Sequence, residues 1–194
     1  MNNINSLIEK TVENKLVFSN KFLKVFNDSV ELPNKKLASR VFVDHPGGVA
    51  IIAITKDYEI ILEKQFRYSV KEILIELPMG RLEKNEIKIN AAKRELQEET
   101  GFYSDSWVEL GEIVPCNGYS SEKITYFLAT DIIPGIQNLD DGEFLEVFKV
   151  PVKSALSMMM KGEIKDAKTI SGLVLYLAYL KKNNIDSVID MLLS

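Results

Sequence analysis

Three glutamates, Glu95, Glu98 and Glu99, lie within five positions of one short segment. At about 100° per residue on a helix they occupy a sector of roughly 100°, with Ala92 and Leu96 at its edge. Like charges at spacings of three and four residues repel each other on a helix. Converging carboxylates are hard oxygen ligands that suit Mg²⁺ or Mn²⁺ better than Zn²⁺. The segment therefore predicts either a divalent-metal site or a solvated acidic helix face.

The acidic segment is part of a longer pattern of fixed spacing. Gly80 is followed after five residues by Glu86, and after seven more by the string RELQEETGF at 94–102. Chance matches to such a pattern should occur on the order of once in ten million chains of this length. This spacing excludes a coincidental run of surface glutamates.

The pattern resembles the signature of the Nudix hydrolases, GX5EX7REUXEEXGU, where U is a bulky aliphatic residue and Phe102 takes the last position. The resemblance implies a loop–helix–loop whose glutamates bind divalent metal beside a diphosphate. Glu95, Glu98 and Glu99 are then the expected metal ligands, and the carbonyl of Met79 is a further one. The implied cofactor is Mg²⁺, with Mn²⁺ as an alternative.

The other residues of the pattern are expected to support this site. By resemblance, Gly80 allows a tight backbone approach, while Glu86 and Arg94 orient the metal ligands through ion pairs. Arg94 and Glu98 are also expected among the catalytic residues. Good helix formers predict a helix over 90–100, and Gly101 stands where a left-handed cap would end it.

Strings outside the pattern resemble the ADP-ribose pyrophosphatase branch of the family, namely HPGGVAIIAI at 45–54, QFRY at 65–68 and ELPMG at 76–80. The branch implies hydrolysis of a nucleoside diphosphate sugar to a nucleoside monophosphate and a sugar phosphate. For ADP-ribose the products are AMP and ribose 5-phosphate. Another substrate, such as GDP-mannose, or a non-catalytic nucleotide-sensing role are the alternatives.

This branch resemblance also assigns residues outside the helix. Arg67, Glu76 and Glu122 are the expected substrate-binding residues, and Glu143 in the string DDGEF is the expected catalytic loop carboxylate, with Asp141 as its nearest backup. For each of these, an ordinary surface, strand or turn role is the alternative.

The chain departs from the branch at two places. Asn117 precedes Gly118 where the branch commonly has proline, and the N-terminal arm lacks the tryptophans that stack on adenine in some members, since Trp107 is the only tryptophan. These departures concern the preferred base and sugar and leave the reaction class untouched.

The implied fold is α/β (α+β), a Nudix fold with mixed β-sheets sandwiched by helices. Residues 1–45 are expected to form an N-terminal segment and strand arm that packs across a homodimer, and residues 46–194 to form the hydrolase domain. Residues 1–15 have a weak helical spacing, and helical patterns recur at roughly 152–161, 166–182 and 185–193.

Composition limits the remaining possibilities. The 194 residues include one cysteine and one histidine, so a disulfide within the chain and a multi-histidine metal site are excluded. The net charge of −4 argues against a nucleic-acid partner. No signal peptide and no apolar run of membrane-spanning length is apparent. We therefore expect a soluble cytoplasmic protein whose partner is a small nucleotide sugar.

Overall fold

The computed structural model describes residues 4–185 and 188–190. The strands run in chain order as β1 (Lys10–Glu13), β2 (Leu16–Ser19), β3 (Lys24–Glu31), β4 (Leu37–Asp44), β5 (Gly48–Ala53), β6 (Glu59–Arg67), β7 (Glu72–Glu76), β8 (Met79–Arg81), β9 (Phe102–Tyr103), β10 (Ser106–Ile113), β11 (Ile124–Thr130), β12 (Ile133–Pro134) and β13 (Leu145–Pro151). The helices are a 3₁₀ turn (Ile4–Leu7), α1 (Lys88–Thr100), α2 (Val152–Met160) and α3 (Ala167–Lys182). The helical pattern at 185–193 falls largely outside the described residues.

The chain divides into two compact units. One unit joins residues 1–47 with the loop 116–123, and the other joins 48–115 with the described chain from 124 onward. The predicted domain boundary after residue 45 stays a prediction. The sequence did not indicate that residues 116–123 belong with the N-terminal unit.

The smaller unit is built on one antiparallel sheet. β3 lies between β1 and β2 on one side and β4 on the other. Every residue of β1 and β2 is exposed, including the apolar side chains of Val12, Leu16, Val17 and Phe18. This sheet therefore leaves an apolar surface uncovered.

The larger unit has its core on both sides of β5. This strand is fully buried, pairs in parallel with β11 and antiparallel with β8, and has β10 beyond β11. Side chains of a strand alternate between its two faces. Val49, Ile51 and Ala53 accordingly pack with α1, whereas Ala50 and Ile52 pack with α2 and α3. The expected arrangement of mixed sheets between helices is confirmed.

A second sheet completes this unit. β6 lies between β13 and β7, with antiparallel pairing on both sides. Thr169 at the start of α3 has no exposed surface and accepts a hydrogen bond from the Leu77 N–H at 2.9 Å. Its own N–H and hydroxyl donate to the carboxylate of Asp166, the N-cap residue of α3. These bonds tie α3 to the segment between β7 and β8.

None of the helices in the described ranges has the length and apolar character that a membrane crossing requires.

Helix α1 is held to the sheet by small and branched apolar residues. Ala91, Ala92 and Leu96 are fully buried against β5 and β6, and a buried leucine contributes about 1.5–3 kcal/mol. The helix ends at Gly101, whose φ of 72° is left-handed and whose N–H donates to the carbonyl of Gln97. The predicted helix and its glycine cap are confirmed, with the start two residues earlier than predicted.

Candidate active site

The turn from β8 to α1 brings Gly80 against the helix. Gly80 pairs with Val49 of β5. A Cβ at this position would overlap the carboxylate of Glu95. Only glycine therefore lets strand and carboxylate come this close, which agrees with the expected tight backbone approach.

Arg94 is the centre of an ion-pair network on α1. Its guanidinium donates two hydrogen bonds of 3.0 Å to Glu86, one of 2.8 Å to Glu95 and one of 2.9 Å to Glu98. The Arg94 pKa is raised, chiefly by the hydrogen bonds to Glu86. The expectation that Glu86 and Arg94 orient other glutamates through ion pairs agrees with this network.

Glu99 is the most deeply buried acid of α1, at 3% exposed. Its Oε2 accepts a hydrogen bond of 2.9 Å from the N–H of Met79. Burial raises the Glu99 pKa well above its ordinary value, and the charges of Glu63, Glu95 and Glu143 raise it further. A solvated helix face is therefore the wrong description of this side chain.

Glu95 lies between Glu99 and the arginine network. Its pKa is raised to about 7, first by burial, although the charge and hydrogen bond of Arg94 act in the opposite direction. Glu98 is more exposed than Glu95. The C-terminal end of α1 is fixed by a loop, since Gln137 donates to the carbonyl of Glu99 at 2.5 Å and the Asn138 N–H to that of Glu98 at 3.0 Å.

The region between the acids of α1 and strand β6, called the groove below, has on its β6 side a carboxylate that the sequence did not predict. Ile61 of β6 packs with Ala91, Ala92 and Leu96 of α1. Glu63 is two residues further along the same face of β6, so its side chain also points toward α1. Alternation along β6 places Glu63 on the same face as Ile61, but the sequence of the strand does not show that this face is covered.

Glu63 is fully buried without a compensating bond. It has no exposed surface, and neither of its carboxylate oxygens has a hydrogen-bond partner in the described part of the chain. Its pKa is raised to about 8, first by burial and then by Glu76, the residue directly opposite it on β7. Arg67 lowers the pKa but does not restore its ordinary value.

Arg67 and Glu76 form a bidentate pair across β6 and β7. The Nε and Nη2 atoms of Arg67 lie 2.8 and 2.5 Å from the two carboxylate oxygens of Glu76. Glu76 is 1% exposed, whereas about a third of the Arg67 side chain remains accessible. A solvent-facing strand role, the alternative for Glu76, is therefore wrong.

The structure brings Glu143 to this groove but leaves Asp141 exposed in the preceding turn. Glu143 accepts a hydrogen bond of 3.4 Å from Gln65, and its charge raises the pKa of Glu63, Glu95 and Glu99.

Glu122 belongs to the smaller unit. Its carboxylate lies 3.8 Å from Nε2 of His45. Its assignment as a substrate-binding residue stays a prediction.

A separate cavity of about 250 Å³ lies elsewhere in the larger unit. Its lining includes Ile54, Tyr58, Tyr176 and Tyr179 and none of the site residues named above. Burial raises the Tyr176 pKa to about 12. Among the described residues of its lining, Asp131 is the only acid.

The donor set of the groove fits a hard divalent cation. Its acids are carboxylates. Burial raises the pKa of three of them, Glu63, Glu95 and Glu99, and both oxygens of Glu63 are unsatisfied within the described residues. Among residues 4–185 and 188–190, no three acidic, histidine or cysteine side chains are arranged to hold an ion as they stand. Glu95 and Glu98 would have to turn away from Arg94 to bind one.

Comparison with known proteins identifies the family. Residues 44–172 match the NUDIX domain, which is more than half of the chain, so the protein belongs to the Nudix family, as the sequence predicted. The ADP-ribose pyrophosphatase of Bacillus subtilis is 38% identical over 166 residues, covering 84% of this chain and 90% of that protein.

Two further proteins are similar. The methanol dehydrogenase activator of Bacillus methanolicus is 34% identical over 164 residues, covering 84% of this chain and 89% of that protein. A crystal structure of an ADP compounds hydrolase has the same fold, with a TM-score of 0.78 at 22% identity, covering 91% of this chain and 97% of that one.

Proposed function

We propose that this Nudix hydrolase cleaves the diphosphate of ADP-ribose, in a reaction that depends on a divalent metal and gives AMP and ribose 5-phosphate. The observation that carries the proposal is the group of acids between α1 and β6, in which Glu63 and Glu99 are buried and the charges of Glu63, Glu95 and Glu143 act on Glu99. The similarity to an ADP-ribose pyrophosphatase over most of both chains supports this substrate.

The metal site in this proposal is formed by Glu95, Glu98 and Glu99, with the carbonyl of Met79 as a further ligand and Mg²⁺ as the ion. When bound, the ion would neutralise diphosphate charge and lower the pKa of coordinated water. Arg94 would keep Glu86 as its partner through its two hydrogen bonds, and Glu95 and Glu98 would leave Arg94 to hold the ion.

Glu143 is the proposed general base. It lies on a loop at the groove and accepts a hydrogen bond from Gln65, which supports the proposal that its carboxylate takes a proton from the attacking water. Asp141 is the reserve candidate because it lies two residues away in the same turn.

Substrate binding is assigned to Arg67, Glu76 and Glu122. Two of the five N–H donors of Arg67 are used by Glu76. The remaining donors can bind a phosphate or the distal sugar, and the buried Glu76 fixes the plane in which the guanidinium presents them.

A homodimer is the proposed assembly. Its support is the uncovered apolar surface of β1 and β2, which an isolated chain would expose to water. Location in the cytoplasm stays a prediction from the sequence.

The test is a turnover assay with ADP-ribose, GDP-mannose, NADH and a dinucleoside polyphosphate, each with Mg²⁺ and with chelator. We expect AMP from ADP-ribose, abolished by chelator. Preferential cleavage of GDP-mannose would retain the reaction and change the substrate. Binding of ADP-ribose without any turnover would favour a regulatory role, of the kind that the name of the methanol dehydrogenase activator describes for that relative.

A further inference from the structure

Glu63 has no part in the mechanism above, although it lies in the same groove. It belongs to β6 rather than to the helix that carries the Nudix pattern, and it faces α1 because Ile61, on the same face, packs there. Its two carboxylate oxygens are buried and have no partner within the described residues.

A carboxylate in this position requires compensation. A buried charge without a partner is strongly unfavourable, so such groups are paired, protonated or bound to a metal. Arg67 is the cation whose charge lowers the pKa of Glu63. Two of the Arg67 nitrogens hydrogen-bond to Glu76 at 2.8 and 2.5 Å, and the arginine makes no hydrogen bond to Glu63.

We propose that Glu63 is a ligand, together with Glu99, for a divalent cation on the sheet side of α1. The inference rests on the proposed function, because it assumes that the groove takes up a metal ion. It adds a strand residue to a ligand set that the Nudix pattern confines to the helix and the turn before it.

Three observations favour a cation over a proton as the missing partner of Glu63. Glu99 is 3% exposed, the Met79 N–H fixes the orientation of its carboxylate, and the charge of Glu63 acts on it. Glu95 and Glu143 add negative charge to the same place. One proton neutralises one acid, whereas a divalent cation compensates two. Water and substrate phosphate can fill the remaining coordination positions, as is usual for Mg²⁺.

The experiment measures Mn²⁺ binding to chelator-treated, full-length protein by electron paramagnetic resonance of the free ion, without nucleotide. Glu63→Gln keeps the shape of the side chain and removes its charge. We expect this variant to raise the Kd of at least one Mn²⁺ by about tenfold or more, because even loss of an outer-shell partner costs about 10- to 100-fold in metal affinity. Glu146→Gln is the matched control, since Glu146 lies exposed on the neighbouring strand and pairs with Lys64 at 3.0 Å.

The outcomes separate this inference from the proposed function. If Glu99→Gln weakens Mn²⁺ binding while Glu63→Gln binds like the unmodified protein, Glu63 is not a ligand and the proposed metal site stands. If Glu63 merely carries a proton, the glutamine variant should also bind with unchanged affinity, which again overturns the inference. Absence of Mn²⁺ binding by the unmodified protein overturns both.

A second variant guards against misfolding. Glu63→Asp keeps the charge but shortens the side chain by one methylene, and near-ultraviolet circular dichroism reports whether each variant retains its tertiary packing. We expect weakened Mn²⁺ binding by a folded Glu63→Asp protein as well, because a ligand must reach the ion. Unchanged affinity in that variant would contradict direct coordination.

Discussion

The bidentate pair between Arg67 and Glu76 makes a quantitative prediction about stability. Replacing Arg67 by methionine would keep much of the apolar part of the side chain. It would remove the guanidinium, which among the described residues is the only cation that hydrogen-bonds to Glu76. Glu76 is 1% exposed and lies directly opposite Glu63, so loss of Arg67 leaves a buried carboxylate beside a second acid.

The magnitude follows from this burial. Breaking a buried ion pair by removing one partner costs about 3–5 kcal/mol. For a domain of about 150–250 residues, each kcal/mol corresponds to about 2–4 °C in Tm. Arg67→Met should therefore lower Tm by roughly 6–20 °C in the absence of metal and nucleotide.

The assay is thermal and urea denaturation in chelator, arranged as a double-mutant cycle. Arg67→Met with Glu76→Met should regain most of the lost stability, because apolar replacement of a whole buried pair is often neutral or stabilising. Lys165→Met is the control, since the pair of Lys165 and Glu72 is largely exposed and should contribute about 1 kcal/mol or less. A single variant as stable as the unmodified protein, or a double variant no better than the single one, would refute the reasoning.

Three further changes act on the groove. Glu99→Gln should abolish metal-dependent turnover of ADP-ribose while leaving the circular dichroism spectrum unchanged, and wild-type rates would contradict its role as a ligand. Gly80→Ala should cost little stability, because its Cβ would displace only the flexible end of Glu95. The same variant should weaken Mn²⁺ binding by about 10-fold or more. Unaltered Mn²⁺ binding would argue against Glu95 as a metal ligand. The Glu63 pKa rises from 4.5 to about 8 on folding, so its ionisation destabilises the metal-free fold increasingly as pH rises through that interval. Below pH 4.5 the free energy of unfolding of Glu63→Gln should therefore match that of the unmodified protein, and above pH 8 it should be larger by roughly 3–5 kcal/mol. Urea denaturation in chelator measures both values. An equal difference at both pH values would exclude ionisation of Glu63 as the cause.

The sequence predicted elements best where several local signals agreed. Helix formers and Gly101 together predicted the central helix and its end. The start was placed at residue 90 rather than Lys88, because Ile87 at the N-cap provides no side-chain hydrogen bond and hence no capping signal. The weak helical spacing in residues 1–15 was misleading, since the described part forms only a 3₁₀ turn before β1 pairs with β3.

Glu63 was missed for a different reason. A charged residue within a strand is ordinarily assigned to the solvent side, and nothing local to the string IILEKQFRY indicates that helices cover both faces of this sheet. Ile61 packs toward α1, whereas Leu62 packs with the core near α2 and α3. Burial of Glu63 is thus a property of the tertiary structure, which alternation within one strand could not reveal.

The same packing that places the acids of α1 also determines their protonation. Leu96 lies one residue from Glu95 and three from Glu99, so burying its side chain draws both carboxylates toward the sheet. Burial is the largest cause of the raised pKa of each acid, so an ion that binds there must displace the protons that burial retains. A helix rotated so that these glutamates faced water would relieve their repulsion and lower both pKa values. Core packing and metal affinity in α1 are therefore coupled, because the apolar and the acidic residues occupy adjoining edges of one helix.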